Sequence, residues 1–339
     1  MYVLGIESTC DETAASVVEN GRNILSQVVT SQIDLHNVYG GVVPELACRR
    51  HMEVILPVID EALRSAKLSL ADIDLIAVAH GPGLIGPLFI GLQTAKGLAL
   101  ALDKPLVGVN HVEAHLYAPL MCTEKELEFP ALGVILSGGH TSLVEMQGIG
   151  SYKLLSQTVD DAVGEAFDKV AKLLGLPYPG GPHVEALAKA GNPGRFALKA
   201  GYCKENPLNF SFSGLKTAVM YTIKKSDKDT VSHPSFRHDL CAAFQQAAFN
   251  DIMQKAEKAV RLLGVKSILF GGGVVQNQTL RKLFAEKFND LELFWPSKEL
   301  SLDNASMIAG LGYHVYQKRG PSDLTTLEAE TRMSFSLNS

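Results

Sequence analysis

Apolar residues in this chain gather in short runs separated by small polar ones. Residues 2–6 are apolar, Glu7-Ser8-Thr9-Cys10-Asp11-Glu12-Thr13 is polar, and residues 14–18 are apolar again. Five-residue apolar runs on either side of a polar break predict strand, turn, strand. Residues 131–136 repeat the pattern, leading into Ser137-Gly138-Gly139-His140-Thr141 and then Ser142-Leu143-Val144-Glu145-Met146. Two such units, set far apart in one chain, predict a duplicated architecture.

Each unit is followed by helical material and by a further strand that ends in glycine. Residues 75–79 run into His80-Gly81-Pro82-Gly83, with a long apolar helix over 86–102. Residues 267–270 run into Gly271-Gly272-Gly273, with a helix over 280–288. Strands alternating with helices predict an α/β fold whose sheets are covered on both faces. Apolar spacing predicts further helices over 57–65, with Pro57 at the first helical position, and over 244–263. A short strand over 105–109 should feed a helix at His111. The polar segment 121–130 reads as a lobe connection, 201–217 as loop-rich, and the residues after Gly320 as a polar tail.

The 339 residues suffice for about two domains with a large core, so neither a metal nor a disulfide is needed to hold the fold. Charged residues at 20% argue against disorder. The apolar stretch 84–102 is interrupted by Gln93, Thr94 and Lys96, which disfavours a membrane helix. Met1-Tyr2-Val3-Leu4-Gly5-Ile6-Glu7 lacks a basic leader and reads as a strand. The five cysteines form no close pair, as suits a reducing, cytoplasmic compartment. The net charge of −5 predicts no general attraction to nucleic acid, so an RNA substrate would need a local basic patch or a partner. Arg49-Arg50-His51 and Lys224-Lys225 with Lys228 are such patches, each also readable as plain solvated surface.

His111-Val112-Glu113-Ala114-His115 places two imidazoles about 40° apart around a helix, on one face, as gripping a metal ion requires. It is not the zinc-peptidase motif. Glu113 stands about 200° from His111 and faces away, so it cannot act as that class's base. A third ligand is needed. Asp303, just ahead of an apolar helix over 307–310, is a candidate, with a helix N-cap as its competing role.

Ser137-Gly138-Gly139-His140-Thr141 offers backbone N–H groups with little side-chain obstruction, as phosphate oxygens require. Gly271-Gly272-Gly273, with Asn277 one turn on, and Tyr178-Pro179-Gly180-Gly181-Pro182 have similar logic. Asp160, Asp161, Glu165 and Asp168 gather before an apolar helix over 170–174, where a carboxylate could hold ribose hydroxyls or simply favour the helix dipole. No G-x-x-x-x-G-K-[ST] sequence occurs, which excludes a P-loop enzyme at the motif level.

These motifs, together with Gly5-Ile6-Glu7-Ser8-Thr9-Cys10-Asp11-Glu12-Thr13, Gly41-Val42-Val43-Pro44-Glu45, Gly164-Glu165-Ala166-Phe167-Asp168-Lys169 and Asp303-Asn304, occur in a fixed order from Val3 to about Gly312. The ordered set resembles the TsaD family, the tRNA threonylcarbamoyladenosine synthase subunits, once taken for sialoglycoprotein endopeptidases. The resemblance implies a two-lobed actin-like, sugar-kinase and Hsp70-type ATPase fold, built from duplicated ribonuclease H-like lobes around a central cleft. The lobes would span residues 1–110 and 111–320, with the metal and adenylate sites on the second and a tail over 321–339.

The implied reaction moves a threonylcarbamoyl group from threonylcarbamoyl-AMP to the N6 amine of the adenosine 3′ to the anticodon, in tRNAs reading codons that begin with A. AMP leaves. Carried over by motif position, the metal ligands are His111, His115 and Asp303, and the metal is one Fe(II) or Zn(II) per subunit. The adenylate contacts are Leu136, Ser137, Gly138, Gly139, His140, Asp168, Gly181 and Asn277, with ATP or ADP as further occupants of the same cleft. Asp11 and Glu12 are the catalytic candidates, Asp11 being preferred as the proton acceptor. The partners implied are tRNA, a TsaB-type paralogue and a TsaE-type ATPase, with a homodimer as the alternative in isolation and no membrane. A small-molecule kinase of the same superfamily would share the glycine turns but not the histidine pair. A metallopeptidase is disfavoured by Glu113, and a nucleotide-binding scaffold without catalysis is the third rival.

Overall fold

The first polar break closes a hairpin. β1 (Tyr2–Glu7) pairs antiparallel with β2 (Glu12–Glu19), and β2 with β3 (Asn23–Ser31). α1 (Ile33–Asn37) and α2 (Pro44–Ala66) follow. β4 (Leu75–Gly81) then runs parallel to β1, α3 (Ile85–Leu102) crosses over, and β5 (Leu106–Asn110) runs parallel to β4 and feeds α4 (His111–Tyr117). The sheet order is β3-β2-β1-β4-β5. This is a computed structural model, and it describes residues 1–333 and Phe335.

The second sheet repeats the plan. It comprises β6 (Ala131–Leu136), β7 (Thr141–Gly148), β8 (Ser151–Gln157), β9 (Ser267–Gly271) and β10 (Glu292–Phe294). Read from β8, its order is β8-β7-β6-β9-β10, the counterpart of β3-β2-β1-β4-β5. β6 is antiparallel to β7 and parallel to β9, as β1 is to β2 and β4. The duplication predicted from two polar breaks is therefore present strand for strand. Between β8 and β9 lie α5 (Val163–Leu173), α6 (Gly180–Ala188), α7 (Ser213–Lys225), α8 (Lys228–Ser232) and α9 (Pro234–Leu263), and α10 (Gln278–Lys287) precedes β10. α11 (Lys298–Ser301) and α12 (Ala305–Arg319) follow.

Packing divides the chain into two units. One is Met1–Leu127, Gln147–Lys153 and Phe294–Ser339; the other is Glu128–Met146 and Leu154–Leu293. The polar segment 121–130 does contain a boundary. By this division α4 and α12 belong to the first unit, whereas the sequence reading put His111, His115 and Asp303 in the second lobe.

In the first sheet the pleat sorts the side chains. Leu4 and Ile6 join α2 residues Ile55, Val58 and Ile59 and α3 residues Leu92, Ala95 and Ala99 in one core. On the opposite face α12 lies so close that a Cβ on Gly5 would stand 2.3 Å from the Ala305 carbonyl oxygen. α3 is long and apolar enough to cross a membrane by length and composition. Here its buried residues, Leu88, Leu92, Ala95 and Ala99 among them, pack against protein.

Several element bounds differ from the sequence reading. α2 starts at Pro44, not Pro57, and carries Pro57 inside it. Pro57 and Glu53 are both exposed, so the proline sits on the solvent side of the helix. α9 begins ten residues before the predicted 244, at Pro234, because a proline at the first position fits a helix start. α7 takes over the latter part of the segment read as loop. Through Glu330 the polar tail is fastened to the first unit: Ser322 N–H donates to the Leu106 carbonyl, Glu330 N–H to that of His80, and Leu324 and Leu327 pack on the first core.

Candidate active site

The geometry of the histidine pair starts with Asn110. Its side-chain oxygen accepts from the Val112 and Glu113 N–H groups at 2.9 and 3.2 Å and caps α4 where β5 ends. The helix then presents His111 and His115 edge to face, ring centroids 4.7 Å apart. Asp303 sits in the turn between α11 and α12. Its Oδ1 lies 3.1 Å from His115 Nε2 and 3.5 Å from His111 Nε2. Asp303 is not the helix cap. Asn304 is, accepting from Met307 N–H at 3.0 Å, which leaves the Asp303 carboxylate to face the imidazoles.

Behind His111 stands Glu7, the last residue of β1 and fully buried. Its Oε2 is 2.8 Å from His111 Nδ1, and its Oε1 accepts Thr9 N–H at 2.6 Å. Burial disfavours a charge on His111, but Glu7 and Asp303 overcome it and hold the imidazolium well above the ordinary histidine range. Burial likewise opposes ionisation of Asp303, yet His111 and His115 hold that carboxyl well below its usual range.

The donor set fits a metal ion. One ligand atom from each of His111, His115 and Asp303 lies within 4.8 Å of the others. Ligands on a tetrahedral zinc at about 2.0–2.1 Å would stand roughly 3.3 Å apart, close to the two separations from Asp303. Glu7 beside Nδ1 would keep the proton on that nitrogen when the imidazolium gives one up to a metal, freeing Nε2 on the side of Asp303, as the outer-sphere carboxylate of a metal-bound imidazole does. Glu113 points elsewhere: it lines a cavity of about 210 Å³ with His80, Asn110 and His314.

The acidic turn is held by backbone contacts. Asp11 C=O accepts Gln32 N–H at 3.0 Å, and Thr9 C=O accepts Leu84 N–H at 2.8 Å. Glu12 Oε1 accepts the Ser31 hydroxyl at 3.1 Å. Burial, and then the charges of Asp303 and Asp11, push the Glu12 carboxyl well above its usual range. Burial and the same carboxylates push the Cys10 thiol up as well. His51, read from sequence as part of a basic patch, is instead buried. Its Nδ1 is 2.7 Å from the Thr13 hydroxyl and its Nε2 3.0 Å from the Cys10 carbonyl oxygen, so it clasps both sides of the turn. Arg50 of the same patch pairs with Glu53 at 3.0 Å.

In the second unit the bends gather at the carboxyl ends of the parallel strands β6 and β9, where open α/β sheets bind ligands. Ser137 N–H donates to His140 C=O, and Ser137 Oγ accepts His140 N–H at 3.0 Å, which closes the turn. A Cβ on Gly164, in the first turn of α5, would stand 2.7 Å from the Ser137 carbonyl oxygen. One on Gly272, at φ +93°, would stand 2.4 Å from that of Leu136. Asp168 Oδ1 accepts Gly180 N–H at 2.6 Å and ties α5 to the start of α6. Asn277 Oδ1 caps α10, its Nδ2 donates to Gln245 at 2.8 Å, and Gln278 N–H donates to Glu185 of α6. Cβ positions on Gly138, Gly139 and Gly181 meet nothing within 4 Å.

The structure thus gathers His111, His115 and Asp303 with Asp11 and Glu12 close by in the first unit. Leu136 to His140, Asp168, Gly181 and Asn277 lie along connected bends of the second. Glu7 escaped the sequence reading, although a carboxylate ending an apolar strand is a signal, since a buried charge needs a partner. His51 and Gln245 carried no such mark, because each partner lies on a distant element.

Comparison with known proteins places the chain in a family. Residues 23–310 match the family model "TsaD: tRNA N6-adenosine threonylcarbamoyltransferase". A protein of that name from Protochlamydia amoebophila is 61% identical, with 98% of each chain aligned. One from Symbiobacterium thermophilum is 48% identical over 95% of this chain and 94% of its own. Among solved structures, full-length HypF in its phosphate- and nucleotide-bound form has a TM-score of 0.64 at 13% identity, covering 95% of this chain and 47% of that one. Component A of the Acidaminococcus fermentans (R)-2-hydroxyglutaryl-CoA dehydratase has 0.54 at 14%, covering 93% and 98%. At those identities the structures speak for the actin-like ATPase fold alone. The sequence matches carry the identity: the chain belongs to the TsaD family of tRNA N6-adenosine threonylcarbamoyltransferases.

Proposed function

We propose that this transferase takes threonylcarbamoyl-AMP as donor, modifies the adenosine 3′ to the anticodon, and uses a divalent ion, Fe(II) or Zn(II), held by His111, His115 and Asp303. The observation that carries the metal assignment is the meeting of two imidazole Nε2 atoms on one carboxylate oxygen. When bound, such an ion supplies Lewis-acid polarisation of a carbonyl oxygen and orientation of the donor.

The chain's own residues divide the remaining work. The adenine amine is a weak nucleophile, because its lone pair is delocalised into the ring, and it must lose a proton as it is acylated. Asp11 and Glu12 stand at the acidic turn, and Glu12 is the stronger proton acceptor, because burial and the charges of Asp303 and Asp11 raise its proton affinity above that of an ordinary carboxylate. This moves the role from Asp11 to its neighbour. Gly138 and Gly139 leave backbone N–H groups unobstructed for the departing phosphate. Asp168 takes the ribose, and Gly181 and Asn277 fix the nucleoside.

A TsaB-type paralogue and a TsaE-type ATPase complete the proposed machinery. Met52 and Leu56 of α2, with Ile85 and Phe89 of α3, form an exposed apolar strip suited to a partner's helices.

The deciding experiment combines the chain with its partners, tRNA and threonylcarbamoyl-AMP, and weighs the product nucleosides. Modified adenosine that disappears with His111→Ala, together with the bound metal, is the expected result. Full transfer by a metal-free variant would remove the ion from the proposal.

A further inference from the structure

Residues 189–225 carry seven lysines and arginines against one acidic residue, Glu205, a net of +6 in a chain of net −5. Everything else therefore sums to −11, and positive charge is concentrated in this one segment of the second unit. Arg195 is neutralised by Asp239 at 2.7 Å. Among the described residues, Lys199, Lys204, Lys224 and Lys225 are exposed and none has a carboxylate within 4.0 Å.

Two aromatic side chains share this surface. Tyr202 is 73% exposed and Tyr221 54%, a poor position for a ring that only water meets. α7 buries Leu215 and Val219 and turns Thr217, Tyr221, Lys224 and Lys225 outward, at spacings of four and three residues that keep them on one side. The 199–204 loop is fastened to the start of the same helix, because Gly201 N–H donates to Ser211 C=O at 3.0 Å and Cys203 Sγ lies 3.8 Å from Phe210 C=O. Lysines with interleaved exposed aromatics are the pattern by which proteins hold a phosphate backbone and stack on unpaired bases.

We infer that the 199–204 loop and the outer side of α7 form the tRNA-docking surface, the lysines meeting phosphates and Tyr202 and Tyr221 stacking on unpaired bases. The inference rests on the reading of the chain as a tRNA-modifying enzyme. It also accounts for how an acidic protein attracts RNA at all.

The test uses the complete partner complex and compares wild type with Lys224→Glu/Lys225→Glu, Lys199→Glu/Lys204→Glu and Tyr221→Ala. Each lysine pair should weaken tRNA binding at least about ten-fold and flatten the dependence of log K on log salt by about 1.4–1.8. The transfer rate at saturating tRNA and the affinity for threonylcarbamoyl-AMP should not change. Tyr221→Ala should cost about five-fold or more in tRNA affinity without altering the salt slope, and Tyr221→Phe should restore it. Unchanged tRNA affinity and salt slope in both lysine pairs, in a preparation whose wild type modifies tRNA, would overturn the inference. So would lysine variants that keep tRNA but lose a protein partner. A wild type that modifies no tRNA at all would strike the transferase reading instead.

Discussion

Glu7 and His111 form a buried carboxylate–imidazole pair 2.8 Å apart, and the other ring nitrogen of His111 faces Asp303. The pair fixes which nitrogen carries the proton and so which lone pair is offered to a metal. Glu7→Gln keeps the shape and removes the charge. Metal affinity should fall about 10–100-fold, the usual effect of losing an outer-sphere carboxylate, while His111 and His115 remain in place. Competition with a zinc-sensitive dye measures it, and an affinity within two-fold of wild type would show that Glu7 is only a packing group.

At the proposed metal site, protons and a metal ion would compete for the same imidazole. His111 is held protonated above its ordinary 6.5, so metal affinity should climb with pH through the neutral range and level off only above the raised value. Without metal the sign reverses. A histidine whose folded pKa is raised stabilises the fold fully below about 6.5, and that stability is lost as pH rises through the folded value. Asp303, held low, contributes above about 3.8 and loses its contribution as pH falls through its depressed value. Denaturant titrations across pH 5–9 with a strong chelator present should show the metal-free protein weakening toward the alkaline end. His111→Gln should remove most of that slope.

Glu12 has the opposite sign to Asp303. Its carboxyl titrates above the usual range, so ionising it costs the fold stability between the ordinary carboxylate value and its raised one. Glu12→Gln should therefore unfold at a higher temperature than wild type at neutral pH, while transfer falls at least about 100-fold, as loss of a general base does. Differential scanning and single-turnover transfer on the same preparation check both halves.

Asn304 caps α12 and, next in sequence to Asp303, sets where that carboxylate stands. Asn304→Ala should cost about 1 kcal/mol, typical of a lost cap, and weaken metal binding although it removes no ligand. Urea denaturation and metal titration separate the effects, and a metal affinity that stays put would mean the turn holds Asp303 without its cap.

At the bends, a Cβ on Gly272 would strike the Leu136 carbonyl and force a side chain into a left-handed backbone. Gly272→Ala should destabilise by about 1–3 kcal/mol and abolish adenylate binding. Gly138→Ala should fold normally, since its Cβ meets open space, and lose adenylate only if the ligand lies against it. Calorimetric titration with AMP distinguishes the two.

The fold was legible where periodicity and turn chemistry agree. Both hairpins, the strands ending at Gly81 and Gly271 and the helix at His111 stand about where apolar runs and glycines put them. Pro57 misled, because a proline on the wet side of a helix costs less than one at its centre. The histidine pair could be read because i and i+4 share a helix face. Asp303 was reached through family motifs, since a local reading favours an N-cap there and only the structure gives that role to Asn304. Glu7, His51 and Gln245 act across long sequence separations, which no local pattern records.

Asp303 meets His115 from 188 residues further along the chain. During synthesis the two histidines leave the ribosome while the carboxylate that faces them has yet to be made. A polypeptide interrupted anywhere between them holds two donors out of three. Interrupted translation therefore yields fragments that cannot complete the proposed donor set, and only a chain extended past Asp303 brings all three donors together.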